Sequence, residues 1–359
     1  VDFVISREAL AGYLLEELLA KLVQSAGYRL LTSPSQDPDE LSTNHSGDLQ
    51  VKGRGANHQV DVLGEFTVVP PFSHPLRLFV EAKARQHPIR LPLIRNAVGT
   101  IMDVNEAWMI NYSKNRIRRH YRYALFATGG FTSPAQVYAL AHHISLVDLS
   151  GPEWSDLRDI ANEGAEALIA LNSARDIPIP IRTLRIALRD TLGTNPDDSP
   201  QNLRYESDLL LLANSLNLRL ETAIGSALLA FPVGQQVLLA RPDDLESFLK
   251  RAGRDPEHQV RLTVAREQSA TQARTWVVRP ISDIEGTYVL RITLPAVVES
   301  QALAESDRRS QVMAAKDGLG GQLDIFWDPR SVENDSLPGP RLFRLLFTGH
   351  ELRERSVDR

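Results

Sequence analysis

The sequence predicts a two-part protein: an α/β layered domain over residues 1–150 and an α+β domain over residues 202–359, joined by a helical connector at 151–201. Three observations predict it. In the first part, helix-period and strand-period segments alternate, the pattern of helices layered on a sheet. In the second part, alternating apolar runs at 259–265, 275–281 and 287–294 lie among helical stretches. Between the two, Gly151-Pro152 and the polar stretch TNPDDSPQ at 194–201 punctuate the chain.

Each element follows from local pattern. Leu10, Leu14, Leu18 and Leu22 recur every fourth residue, so 6–27 reads as an amphipathic helix, with Ser6 as N-cap and Gly27 as its stop. The polar, proline-containing stretch 32–48 reads as a loop. Segments 58–69 and 76–84 have strand composition and are separated by the turn-rich PPFSH, predicting a β-hairpin. A helix is expected over 91–109 and a buried strand over 123–128. Gly129-Gly130 break that strand, and Ser133-Pro134 open a helix through about His142, followed by a strand at 144–149. Helices are expected at 153–174, 178–193, 205–216 and 298–315, with QLDIFWD and RLFRLLF as late apolar segments.

Composition excludes several classes. Apolar residues make up 43% and charged residues 24% of 359, values of a folding chain rather than a disordered one. There is no cysteine, which removes disulfide scaffolds and thiolate metal centres. No run of about 18 apolar residues is present, and VDFVISREAL lacks the basic and apolar regions of a signal peptide, so a cytoplasmic protein without a membrane partner is expected. The formal net charge is -5, yet residues 1–150 carry 15 basic and 14 acidic residues, so the acidity lies in the rest.

The chemistry concentrates on the predicted hairpin. Asp61, Glu81 and Lys83 form D-x19-E-x-K. Side chains alternate along a strand, so Glu81 and Lys83 project together, and Gln59 shares the face of Asp61. Two carboxylates on adjacent strands suit a hard divalent cation, Mg²⁺ or in its place Mn²⁺. Such an ion polarises a phosphate and acidifies water, and a nearby lysine stabilises developing charge.

These residues resemble the PD-(D/E)XK nuclease superfamily, and within it the Mrr-like restriction endonucleases. The resemblance covers roughly residues 7–150. It rests on Leu15-Glu16-Glu17-Leu18 with Ala26-Gly27-Tyr28, on His58-Gln59-Val60-Asp61, on Phe79-Val80-Glu81-Ala82-Lys83, and on Phe126-Ala127-Thr128-Gly129-Gly130-Phe131-Thr132 followed by a helix and Ile144-Ser145-Leu146-Val147-Asp148. His58-Gln59 stands where the family often has Gly-Gly, and Glu81 where many Mrr-like members have Gln. The resemblance implies a restriction-endonuclease-like fold, with a mixed central sheet flanked by helices. It implies a Mg²⁺-dependent DNA endonuclease of host defence. Asp61 and Glu81 would be metal ligands, Lys83 the catalytic lysine, Glu16 a supporting helix carboxylate with Glu17 as competitor, and Gln59 a pocket residue. DNA would be the partner, with a homodimer or a partner subunit of a defence system completing the activity. The alternative is a catalytically silent DNA-binding or scaffold subunit of such a system.

Charge agrees with a polyanionic partner. Between residues 77 and 122 ten Lys/Arg face three acids, a local balance of +7. Lys114, Arg116, Arg118, Arg119, Arg122 and Arg85 are the candidate DNA contacts. His58, His74 and His87 match no metal-ligand spacing, and no phosphate-binding G-x-x-x-x-G-K-[ST] loop or G-x-S-x-G elbow is present. Nothing in residues 202–359 assigns that domain's role; recognition, sensing and partner docking stay open.

Overall fold

The computed structural model describes residues 6–69, 71–109, 117–175, 179–195, 207–224, 227–233, 237–264, 275–282, 287–328 and 340–348. The first helix, α1 (Arg7–Ser25), starts where the Ser6 side chain accepts the Ala9 amide and ends before Gly27, whose φ of 84° suits glycine. Its leucine stripe is buried on a five-stranded sheet.

That sheet is mixed. Its order is β1 (Tyr28–Leu30), β5 (Val62–Phe66), β6 (Leu76–Lys83), β7 (His120–Ala127) and β8 (Ser145–Asp148). β1, β5 and β6 pair antiparallel, and β6, β7 and β8 pair parallel. Strands β2 (Leu41–Thr43), β3 (Leu49–Lys52) and β4 (Asn57–Gln59) form a separate small sheet. The strand expected over 58–69 is therefore two strands, broken at Val60-Asp61. The parallel crossovers carry α2 (Leu91–Glu106) and α3 (Ser133–Ala141), which cover the face made by Phe79, Tyr123 and Leu125. Thr132, rather than Ser133, is the α3 N-cap residue.

On the opposite face α1 is covered by α4 (Ser155–Ser173), α5 (Ile181–Leu192) and α6 (Ser207–Ile224), all in one apolar core with the sheet. The packing thus groups 207–224 with the N-terminal half, and the change of architecture falls at about residue 227, later than the expected boundary at 202.

From there the chain forms a closed barrel. Its seven strands, in order, are β10 (Leu238–Pro242), β13 (Leu290–Thr293), β12 (Thr275–Pro280), β11 (Glu257–Val264), β15 (Arg341–Phe347), β14 (Gln322–Trp327) and β9 (Leu228–Pro232). β9 pairs β10 to close it, and β11 with β15 is the parallel pair. Alternate residues such as Val260, Leu262, Trp276, Val278, Ile325 and Phe343 fill its interior. The continuous apolar runs of β9 and β10 have a physical reason. Leu228 and Leu238 belong to the barrel interior, while Leu229 and Leu239 join the helical core outside. α7 (Leu245–Arg254), α8 (Ala296–Leu303) and α9 (Arg308–Gly318) accompany the barrel. The single helix expected at 298–315 is two, because the Asp307 carboxylate caps the amides of Arg309 and Ser310 and starts α9 anew. No helix among the described residues is long and apolar enough to cross a membrane.

Candidate active site

The break between β4 and β5 positions Asp61. The residue stands just before β5, and register pairs Val62 with Val80, which sets Asp61 beside Glu81 on the neighbouring strand. The Ala82 amide donates a 2.8 Å hydrogen bond to Asp61 Oδ2. Glu81 and Lys83, on one face of β6, form a 2.6 Å ion pair and are each about one-fifth exposed. The Tyr123 hydroxyl of β7 also donates to Glu81. That hydroxyl is aimed by its ring, which stacks on Phe79 at 5.0 Å. Tyr123 was invisible to motif reading, because its role depends on the parallel register of β6 and β7.

Burial raises the pKa of Asp61; the Ala82 amide and Lys83 oppose that, while the Glu81 charge adds to it. Glu16, on α1, is pushed up to about 8, first by burial and next by the charge of Asp61. Asp61 thus meets like charge on two sides, from Glu81 and from Glu16. Glu16 and Glu17 part company here. Glu17 is fully buried and held by Arg189, whose Nε lies 3.0 Å from both of its oxygens. Glu16 neighbours Asp61 electrostatically, but its Oε2 accepts a 2.7 Å bond from Arg185 of α5. A cleft of about 500 Å³ runs between these groups, lined by Tyr13, Glu16, Asp48, Gln59, Asp61 and Arg185. Gln59 reaches that cleft from β4, not from the strand after Asp61, and is exposed.

Asp61 and Glu81 stand side by side as hard oxygen donors, and a dication would relieve the repulsion between them. Among the described residues, however, no group of three His, Cys, Asp or Glu stands in metal-holding geometry. Glu16 is engaged by Arg185 instead of completing the set. Asp61 and Glu81 are the adjacent carboxylates that would hold such an ion.

Among the described residues, the basic side chains of the expected strip do not all face outward. Lys114 and Arg116 lie outside the described residues. Arg119 is drawn into an ion-pair cluster with Asp37, Glu40 and Glu65, which also holds the fully buried Arg77. Its charge is thereby spent inside the fold, because the acids of the loop before β2 and of β5 converge on the end of β6. Arg118 lies 4.2 Å over the Trp108 ring, and Arg122 is half-buried, its pKa lowered by that burial. Arg85 is exposed. It lines a broad cleft of about 1340 Å³ together with His87 and Arg90, just past Lys83. Thr128 holds this loop: its Oγ1 accepts from the Arg85 amide and donates to the Arg85 carbonyl, both at 2.9 Å. Gly129 is needed beside it, since a Cβ there would lie 2.6 Å from the carbonyl oxygens of Arg85 and His87. The T-G-G-F-T segment therefore sets the path of the chain after the E-x-K motif. His58 is bound to Asp103 at 2.8 Å.

No family model and no curated protein matches this chain. A solved structure titled "Crystal Structure of Protein of Unknown Function AF1548" aligns with 59% of this chain and 98% of its own, at 16% identity and a TM-score of 0.32.

Proposed function

We propose that the protein is a Mg²⁺-dependent DNA endonuclease of restriction type, its N-terminal half a restriction-endonuclease-like domain related to the Mrr-like enzymes. The observation that carries this reading is the arrangement of Asp61, just before β5, with Glu81 and Lys83 on β6, Asp61 being anchored by the Ala82 amide. Asp61 and Glu81 would hold the ion, Mn²⁺ serving in its place, and the ion would supply Lewis-acid polarisation of the phosphate and acidify water. The chain's own residues prepare the rest. The Ala82 amide fixes the Asp61 oxygen, and Tyr123 orients Glu81. Lys83, beside Glu81 on the same face of β6, would offset negative charge developing on the phosphate. Arg85 and Arg90, exposed in the adjoining cleft, suit the DNA backbone. One such site cuts one strand, so duplex cleavage calls for a homodimer or a partner subunit.

Plasmid nicking with Mg²⁺ or Mn²⁺ tests the reading. Asp61→Ala and Lys83→Ala should each lower the rate by about 10²–10³-fold, the scale of losing one charge-stabilising group. Cleavage that persists unchanged in both variants would remove this site from the chemistry. A second reading, a silent DNA-binding subunit of a defence system, is favoured by the commitment of Glu16 to Arg185. Wild-type protein that binds DNA but cuts with no metal would select it.

A further inference from the structure

Arg185 occupies an unusual place. It comes from α5, more than a hundred residues after the E-x-K motif, and enters the cleft that Asp61 lines. Its Nη2 lies 2.7 Å from Glu16, its Nη1 3.8 Å from Asp48, and its guanidinium carbon 4.7 Å from the centre of the Tyr13 ring. Only about one-sixth of the side chain is exposed. Glu17 also touches it at 3.4 Å but has Arg189 as its own closer partner. The charge of Arg185 is therefore directed at Glu16 and, through space, at Asp61. A guanidinium does not lose its proton in a protein, so this is a permanent cation inside a carboxylate cluster.

We propose that Arg185 is a positioning residue that acts as the resident counter-cation of the site: it holds Glu16 out of the ligand set and limits Asp61 and Glu81 to a single weakly bound divalent ion. The inference rests on the endonuclease reading. It assigns α5 a part in the site, tying the helical layer to metal affinity. Anything that draws α5 away from α1 would free Glu16 and tighten the ion.

Calorimetric titration of the full chain with Mn²⁺ tests this without reference to cleavage. Wild type should bind at most one Mn²⁺, and Asp61→Ala should abolish binding. Arg185→Gln should bind Mn²⁺ about tenfold tighter or take up a second equivalent, since Glu16 is then free to join the ligands and ligand charge count sets affinity. Arg185→Lys, which keeps the charge, should behave as wild type. Glu16→Gln alone should also leave Mn²⁺ affinity unchanged, and combined with Arg185→Gln it should cancel the gain. An Arg185→Gln protein of wild-type circular dichroism and wild-type Mn²⁺ binding overturns the inference. A tenfold loss in Glu16→Gln does so too, and that variant decides the matter if Arg185→Gln does not fold. Binding insensitive to Asp61→Ala, or absent from every variant, instead overturns the endonuclease reading itself.

Discussion

At the residue scale, the carboxyl of Glu16 reports the cost of the site. Its pKa is about 8 in the folded chain against an ordinary 4.5. Between these values the unfolded chain has released the proton while the folded chain keeps it. Stability should therefore fall as pH rises from about 4.5 to about 8 and level off above, by on the order of a few kcal/mol. Glu16→Gln removes the titration. In urea unfolding its midpoint should change less with pH than that of wild type and exceed it at pH 8.5. Parallel pH profiles for the two proteins would show that Glu16 is not strained in this way. The same residue illustrates what motif spacing leaves open. Glu16 and Glu17 are adjacent in sequence, Glu17 competing there with Glu16 for the role, and Arg189, reaching in from α5, separates a structural carboxylate from one that neighbours Asp61.

At the element scale, close approach of α1 to β5 carries the site. Gly64 sits where they meet: a Cβ would lie 2.7 Å from Val23 Cγ1 and 2.9 Å from Tyr28 Cβ. Gly64→Ala must push α1, and with it Glu16, off the sheet. We expect a loss of about 1–3 kcal/mol in chemical denaturation, and an unchanged midpoint would contradict this packing. The helices and strands of the N-terminal half were largely legible, because their apolar periods match burial on a sheet: the leucines of α1 and the alternation of β6 both reach the core as expected. What misled was the continuous strand composition of 58–69. The chain leaves the small sheet at Gln59 and joins the large one at Val62, so Gln59 and Asp61 do not share a strand.

At the scale of the whole molecule, the basic charges divide by what they meet. Arg85 and Arg90 stay exposed in the cleft past Lys83, whereas Arg119 is embedded among Asp37, Glu40 and Glu65. Arg85→Ala and Arg90→Ala should each lower the slope of log affinity against log salt for duplex DNA by about 1, without changing base preference. Arg119→Ala should leave that slope alone and lower stability instead, because it uncovers buried acids. Fluorescence anisotropy over a salt series, beside thermal unfolding, checks both; an equal slope change for all three would mean that the strip acts as one surface after all. The closed barrel also belongs to this scale. Strands such as β11 and β14 show ordinary alternation, but the parallel pairing of β11 with β15 joins segments some eighty residues apart, a contact no local pattern encodes.

Sequence alone singled out the carboxylate–lysine pattern proposed here for the chemistry, and it determined which faces turn inward. A carboxylate pair with a lysine two positions on, and leucines every fourth residue, have their consequences written into side-chain period and donor type. Tertiary structure alone decided which charges meet. Arg77 and Arg119 are consumed by acids from distant loops, Tyr123 reaches Glu81 through strand register, and Arg185 arrives at Glu16 from a later helix. The physical reason is range. Hydrophobic period acts over a few residues of chain, whereas an ion pair depends only on distance in space, and that distance is set when the layers pack.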